Sequence, residues 1–246
     1  MKKRSRVKRF ARFVMRGGRR RKGPAGLLQQ PPQWVIFDFD GTIADTFLEG
    51  FRILNALADE FEFQKLPMHE LDRARDFSTR DLIKKLGIPK MKLHRISKRG
   101  TELMTDHISE IQPCAGMLDL VRNLHHRGYR LGILTSNSET NVSAFLKQND
   151  IEVFEFIKSS SKLLGKSSVI RHILKDRKLQ PKDILFVGDE IRDIEAAQET
   201  GIHMAAVTWG YNSPTVIKAS SPDYLFDAPQ QIADLLVDFP PVPKAN

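Results

Sequence analysis

The 246-residue sequence predicts an α/β protein: a parallel sheet with helices on both faces and one all-helical subdomain inserted into it. Three observations carry this expectation. Five short apolar runs end in polar or glycine-containing turns. Helical patterns separate the later runs. Residues 47–112 contain no convincing strand.

The first element is the run Trp34-Val35-Ile36-Phe37, which ends at Asp38. Four more follow at 129–134, 153–157, 184–187 and 203–207. Each is apolar without alternation, as strands buried on both faces of a parallel sheet are. Helical patterns at 117–127, 138–148, 167–178 and 190–200 supply the crossovers such a sheet needs. The stretch 47–112 reads as helices over 47–61, 68–75, 78–86 and 90–109, punctuated by Leu66-Pro67 and Gly87-Ile88-Pro89. Residues 33–46 and 113–238 are thus expected to form the α/β core, with 47–112 as a helical cap. Residues 1–32 read as a basic, unfolded tail and linker, through Gly23-Pro24-Ala25-Gly26 and Gln29-Gln30-Pro31-Pro32. Residues 239–246 read as a loose tail.

Charge is unevenly spread along this plan. The formal net charge is +9, yet residues 1–30 hold twelve Lys or Arg and no acidic residue. Of 39 basic residues, 27 then remain against 30 acidic ones, so the rest of the chain carries about −3. The basic tail either stays unfolded through self-repulsion or lays a helix on anionic lipid or RNA, with Val7, Phe10, Ala11 and Val14 on one face. A transit peptide is a third reading, since the tail is Arg-rich and acid-free but poor in Ser. No apolar stretch approaches the roughly 18 residues of a membrane span, and the N-terminus has no signal-peptide core, so no stable membrane insertion is expected. A single cysteine, Cys114, excludes an internal disulfide and points to a reducing, cytoplasmic setting.

Residues capable of chemistry gather at strand ends. Asp38-Phe39-Asp40-Gly41-Thr42-Ile43-Ala44-Asp45 follows the first strand directly. Ligands of parallel sheets bind beyond the carboxyl ends of the strands, and a spacing of two puts Asp38 and Asp40 on one side. Gly41 lets the backbone turn sharply there. Paired carboxylates need a counter-charge or a proton; Mg2+ suits carboxylate and phosphate oxygens. The run 184–187 leads through Gly188 to Asp189, and Asp193 follows one helical turn later. Thr135 and Ser136 end the second strand, and Lys166 opens a helix after the third. A phosphoryl group in transfer needs neutralisation and hydrogen-bond donors, which Lys166, the Thr135 hydroxyl and backbone amides can supply.

With those four motifs quoted, the chain resembles the haloacid dehalogenase-like hydrolase superfamily over residues 34–237, in its phosphoglycolate phosphatase-like branch. The resemblance implies a Rossmann-like parallel-sheet core with an inserted all-helical cap. It implies a Mg2+-dependent phosphatase acting on a small phosphate monoester. Asp38 would be the nucleophile that forms an aspartyl-phosphate, and Asp40 general acid and then base. The metal would be held by Asp38, the Asp40 main-chain carbonyl and Asp189, with Asp193 in support. Thr42, Thr135, Ser136 and Lys166 would bind the phosphoryl group, with Lys166 also balancing carboxylate charge. A phosphomutase or pyrophosphatase of the same fold is the alternative, as is a non-catalytic binding protein acting through the tail. The cap stretch Ser78-Thr79-Arg80-Asp81-Leu82 occupies a region that often touches substrate in this branch.

The sequence departs from the family pattern at Gly165-Lys166-Ser167-Ser168, where Lys-Pro is frequent, and Lys162 competes for the lysine role. Glu190 adds a carboxylate after Asp189 where a small hydroxyl residue is common, and is expected either to alter metal affinity or to sit in solvent. Asp45 is expected to cap the first insert helix or to join the site. Ser136 also reads as plain turn chemistry. The segment from Ser160 to Ser167 falls short of a phosphate-cradling loop because Ser160 stands where the first glycine belongs.

Overall fold

The computed structural model describes residues 25–160 and 165–239. The amphipathic face of the basic tail, Lys162 and the chain beyond 239 lie outside them. After strand β1 (Trp34–Phe37) the chain makes α1 (Phe47–Phe61), α2 (Leu71–Ala74), α3 (Thr79–Lys85) and α4 (Leu93–His107). It then alternates through α5 (Met117–His126), β2 (Arg130–Thr135), α6 (Glu139–Gln148), β3 (Phe156–Ser159), α7 (Lys166–Asp176), β4 (Ile184–Gly188), α8 (Ile191–Thr200), β5 (His203–Val207), α9 (Pro214–Ala219), β6 (Tyr224–Phe226) and α10 (Pro229–Val237).

All six strands are parallel, in the order β3-β2-β1-β4-β5-β6. The order turns between β1 and β4, so the carboxyl ends of those two strands flank the crevice where such sheets bind ligands. Alternate strand residues enter two separate apolar clusters. Val35, Phe37, Ile133 and Val187 face α5, α6 and α10. Trp34, Ile36, Leu134 and Phe186 face α7, α8 and α9. Both faces are covered, which is why the strands read as unbroken apolar runs.

The insert leaves and rejoins the sheet at one paired crossing. Asp45 N donates to Gln112 O at 2.9 Å, Cys114 N to Ile43 O at 2.8 Å, and Ala44 bridges Pro113 antiparallel. Within it α1 packs along α4, burying Ile53, Leu57, Ile96 and Met104.

Three differences from the sequence reading have local causes. The strand expected at 153 pairs only from Phe156, opposite Gly132; a Cβ on Gly132 would sit 2.3 Å from the Phe156 ring, so the glycine makes room for it. β6, α9 and α10 escape the apolar pattern: β6 is three half-buried residues at the sheet edge, and the helices are announced only by Pro214 and Pro229 at their first positions. The ends are also more tied down than expected. Leu28 is buried, with its N–H donating to Tyr224 Oη at 2.6 Å, because an apolar side chain beside an open sheet edge gains by covering it. Phe239 packs on the core, and its carbonyl accepts from Arg127 at 3.0 Å.

Candidate active site

The loop after β1 closes on itself. Phe39 O accepts from the backbone N–H groups of Thr42, Ile43 and Ala44, with Gly41 at φ +75°. This tight turn aims Asp38 and Asp40 differently. Asp38 is fully buried, and its Oδ1 accepts from Phe39 N at 2.7 Å. Its Oδ2 accepts no directed hydrogen bond and faces the Lys166 ammonium at 2.6 Å. Asp40 is half-buried and accepts from Asn137 Nδ2 at 3.0 Å and Thr135 Oγ1 at 3.4 Å.

The end of β4 brings the other carboxylates. Asp189 Oδ1 accepts from Thr42 Oγ1 at 2.6 Å, and its Oδ2 from Tyr211 N at 2.7 Å. Asp193 Oδ1 accepts from Lys166 Nζ at 2.6 Å, and its Oδ2 from Glu190 N at 3.2 Å, closing the first turn of α8. Carboxylate oxygens of Asp38, Asp189 and Asp193 lie within 4.8 Å of one another. The Asp40 side chain is not in that group.

Burial drives the electrostatics. It pushes the Asp38 carboxyl up to about 7, against the opposing pull of Lys166. It raises Asp189 well above the ordinary range, with Asp38 adding to the effect. Asp40 is also raised by burial, against the hydrogen bond from Asn137. Burial works against the Lys166 charge, but Asp193 and Asp38 outweigh it and raise its pKa. Three buried carboxylates against one ammonium leave an excess of negative charge among oxygen donors. That donor set fits a hard divalent cation.

Glycines shape the group. A Cβ on Gly210 would lie 2.1 Å from Asp189 Oδ2, and one on Gly41 would lie 2.5 Å from the same atom. Asp189 is therefore wedged between two backbones that approach it only because they lack side chains.

The sequence-predicted residues fall around this group in different ways. Lys166, at the start of α7, joins Asp38 to Asp193. Thr42 is turned toward Asp189, and Thr135 toward Asp40, also accepting from Asn137 N at 2.9 Å. Ser136 Oγ accepts from Arg192 at 3.3 Å. Asp45 is exposed, and the N-cap of α1 is Thr46 without a side-chain capping bond, so Asp45 neither caps nor joins the site. Glu190 does not sit in solvent: it is buried, pairs with Arg192 and accepts from Thr79 of the insert at 3.2 Å. Sequence reasoning passed over Asn137, Arg192 and the loop Trp209-Gly210-Tyr211-Asn212. Asn137 directly follows Thr135 and Ser136, and Arg192 lies beside Asp193; the loop after β5 carries no comparable mark.

A parallel sheet with an acidic cluster, a lysine and hydroxyls at its switch point defines an α/β phosphohydrolase. The description "haloacid dehalogenase-like hydrolase" matches residues 35–207, and the chain belongs to that family. It is 32% identical to a phosphoglycolate phosphatase of Synechococcus elongatus over 201 residues, covering 81% of this chain and 95% of that one. Pyrophosphatase PpaX of Bacillus cereus is 24% identical, over 83% of this chain and 96% of its own. The fold matches a protein from Clostridium acetobutylicum described as a predicted phosphatase, with a TM-score of 0.73 at 18% identity, covering 86% of this chain and 100% of that one. The chain is a phosphoric monoester hydrolase of this family, with relatives named phosphoglycolate phosphatase. Among the described residues no helix is long and apolar enough to cross a membrane.

Proposed function

We propose that the protein is a Mg2+-dependent phosphatase that hydrolyses small phosphate monoesters through a phosphorylated Asp38. The observation that carries this reading is Asp38 itself. One of its oxygens is held by Phe39 N, and the other is undirected and faces Lys166. That is the posture of a positioned carboxylate nucleophile.

Asp38 Oδ2 attacks phosphorus as the bond to the leaving oxygen breaks. Asp40, raised by burial, keeps the proton that the leaving oxygen takes. Its ionised form then draws a proton from water as that water attacks phosphorus, releasing phosphate and restoring Asp38. Lys166 lies against the attacking oxygen and counters the charge of the incoming phosphoryl group. Asn137 and Thr135 hold the Asp40 carboxylate in place. Asp38, Asp189 and Asp193 are the residues to hold magnesium, which supplies charge neutralisation for the phosphoryl oxygens. The helices within residues 47–112 act as a cap over this site.

The test is phosphate release from 2-phosphoglycolate and other small monoesters with Mg2+. Asp38→Asn is expected to fall to the uncatalysed background. Asp40→Asn is expected to lose on the order of 10²–10⁴-fold in kcat, the usual weight of general acid–base help. Undiminished turnover by Asp38→Asn would remove the nucleophile assignment.

A further inference from the structure

A cavity of about 330 Å³ opens from the catalytic end of the sheet into the helical insert. Asp40, Ser136 and Asn137 line it from the core, and Phe47, Phe51, Leu54, Leu71, Phe77 and Leu82 line it from the helical insert. Four charged side chains reach its walls: Asp40, Arg75, Glu190 and Arg192. Asp40 faces Asn137 and Thr135, and Glu190 and Arg192 are paired with each other. Arg75 donates to Gly210 O at 2.7 Å and lies 5.3 Å over the Phe47 ring; its Nε has no acceptor.

The position of this cavity decides what enters it. Asp40 is the group that hands a proton to the leaving oxygen, so whatever lies beyond Asp40 surrounds the leaving group. A void of this size sacrifices packing contacts that a filled core would make. Its walls are mostly hydrocarbon. A short charged leaving group such as glycolate would set its carboxylate among phenyl and leucyl side chains with Arg75 to meet it, and Arg75 is already engaged by Gly210 O and the Phe47 ring. An apolar leaving group gains from the same walls.

Resting on the phosphatase reading above, we propose that the preferred substrates are phosphate monoesters of apolar alcohols, with the alkyl or aryl portion housed between α1, α2, α3 and α4. The chemistry is unchanged: the ester P–O bond breaks, the alcohol departs with the proton from Asp40, and the oxygen of water ends on inorganic phosphate.

The experiment uses the full chain with Mg2+ and a series of n-alkyl phosphates from ethyl to octyl. These leaving alcohols are nearly equal in acidity, so chain length changes contact and not reactivity. The kcat/KM is expected to rise about three- to fourfold per methylene, the factor equivalent to roughly 0.8 kcal/mol per buried CH2, and to level off when the cavity is full. Leu54→Trp, which narrows the cavity, is expected to flatten the rise and to penalise the longest chains most. Binding of non-hydrolysable n-alkylphosphonates, followed by calorimetry, is expected to show the same rise. A flat or falling series in both rate and affinity overturns the proposal, as does faster turnover of 2-phosphoglycolate than of every alkyl ester, which would give Arg75 the carboxylate. Rising affinity with no hydrolysis at any length would keep the cavity as an alkyl-binding site but overturn both the substrate assignment and the phosphatase reading.

Discussion

At the scale of single residues, the site is defined as much by missing side chains as by carboxylates. Asp189 receives two hydrogen bonds, from Thr42 and Tyr211, and both approach it across glycine backbones. Gly210→Ala would place a methyl group 2.1 Å from Asp189 Oδ2. Neither backbone nor carboxylate can retreat without loss, because Tyr211 N donates to Asp189 Oδ2 and Asn212 N donates to Asp189 O. The substitution is expected to destabilise the fold by about 1–3 kcal/mol, the usual cost of overpacking, and to weaken Mg2+ binding by rotating Asp189 out of the acidic group. Thermal denaturation and magnesium titration of the variant test both effects; an unchanged Mg2+ affinity would mean Asp189 does not depend on this fit. Nothing in the sequence around Gly210 signals this role. The gathering of Asp38, Asp40 and Asp189 was legible because the carboxyl ends of parallel strands converge at a known place. Gly210 acts on a residue 21 positions away, through a contact that exists only after the sheet has formed.

At the scale of elements, the loop after β5 is one part of the core that grips the insert; α6 is another, through Asn141 and its bonds to Thr101 O and Thr105 Oγ1. Buried Asn212 donates from Nδ2 to Arg75 O at 2.9 Å and Phe77 O at 3.0 Å, while its Oδ1 accepts from Ile191 N at 2.9 Å. One side chain therefore ties the turn between α2 and α3 to the first turn of α8. Ser213 N adds a bond to Arg75 O at 3.0 Å, and Thr79 reaches Glu190 from the insert side. Asn212→Ala removes two donors and one acceptor and leaves a helix-terminal N–H of α8 without its partner. It is expected to cost about 1–3 kcal/mol and to speed amide exchange selectively at residues 75–82, with KM rising more than kcat falls. Uniform loss of protection across the sheet would show that Asn212 supports the core and not the insert. Strands β1, β2, β4 and β5 were readable because they are short apolar runs buried on both faces, and helices α5 to α8 because each buries one face of a periodic pattern. The grip of Asn212 was not, since its partners are backbone carbonyls, which leave no trace in composition. β6 was missed for a related reason: an edge strand of three half-buried residues offers neither length nor a clean apolar run.

At the scale of the whole molecule, the fold buries three carboxylates at one point, a concentration of charge that a bound cation would relieve, and this sets its response to pH. Asp38 titrates near 7 in the folded chain, raised by burial from 3.8, and Asp189 is raised in the same direction. An unfolded chain releases these protons near the ordinary carboxylate value. Between about pH 4 and about pH 7 the folded state therefore holds more protons than the unfolded one, and stability falls as pH rises. The contribution is fully present below the unfolded value and is lost once pH passes the folded one. Magnesium held by these carboxylates would compete with those same protons, because carboxylates bind a cation only when ionised. Metal-free protein is thus expected to lose melting temperature steadily from about pH 4 to about pH 7, and saturating Mg2+ to restore it. The metal-induced rise should be small at the acid end and largest at the alkaline end. Asp38→Asn removes one of the titrating groups and is expected to flatten the metal-free profile, whatever it does to turnover. Melting curves across this range, with magnesium and with a chelator, decide the matter; a metal-free profile that climbs through neutrality, or a magnesium effect independent of pH, would show that the acidic group is already neutralised by other means.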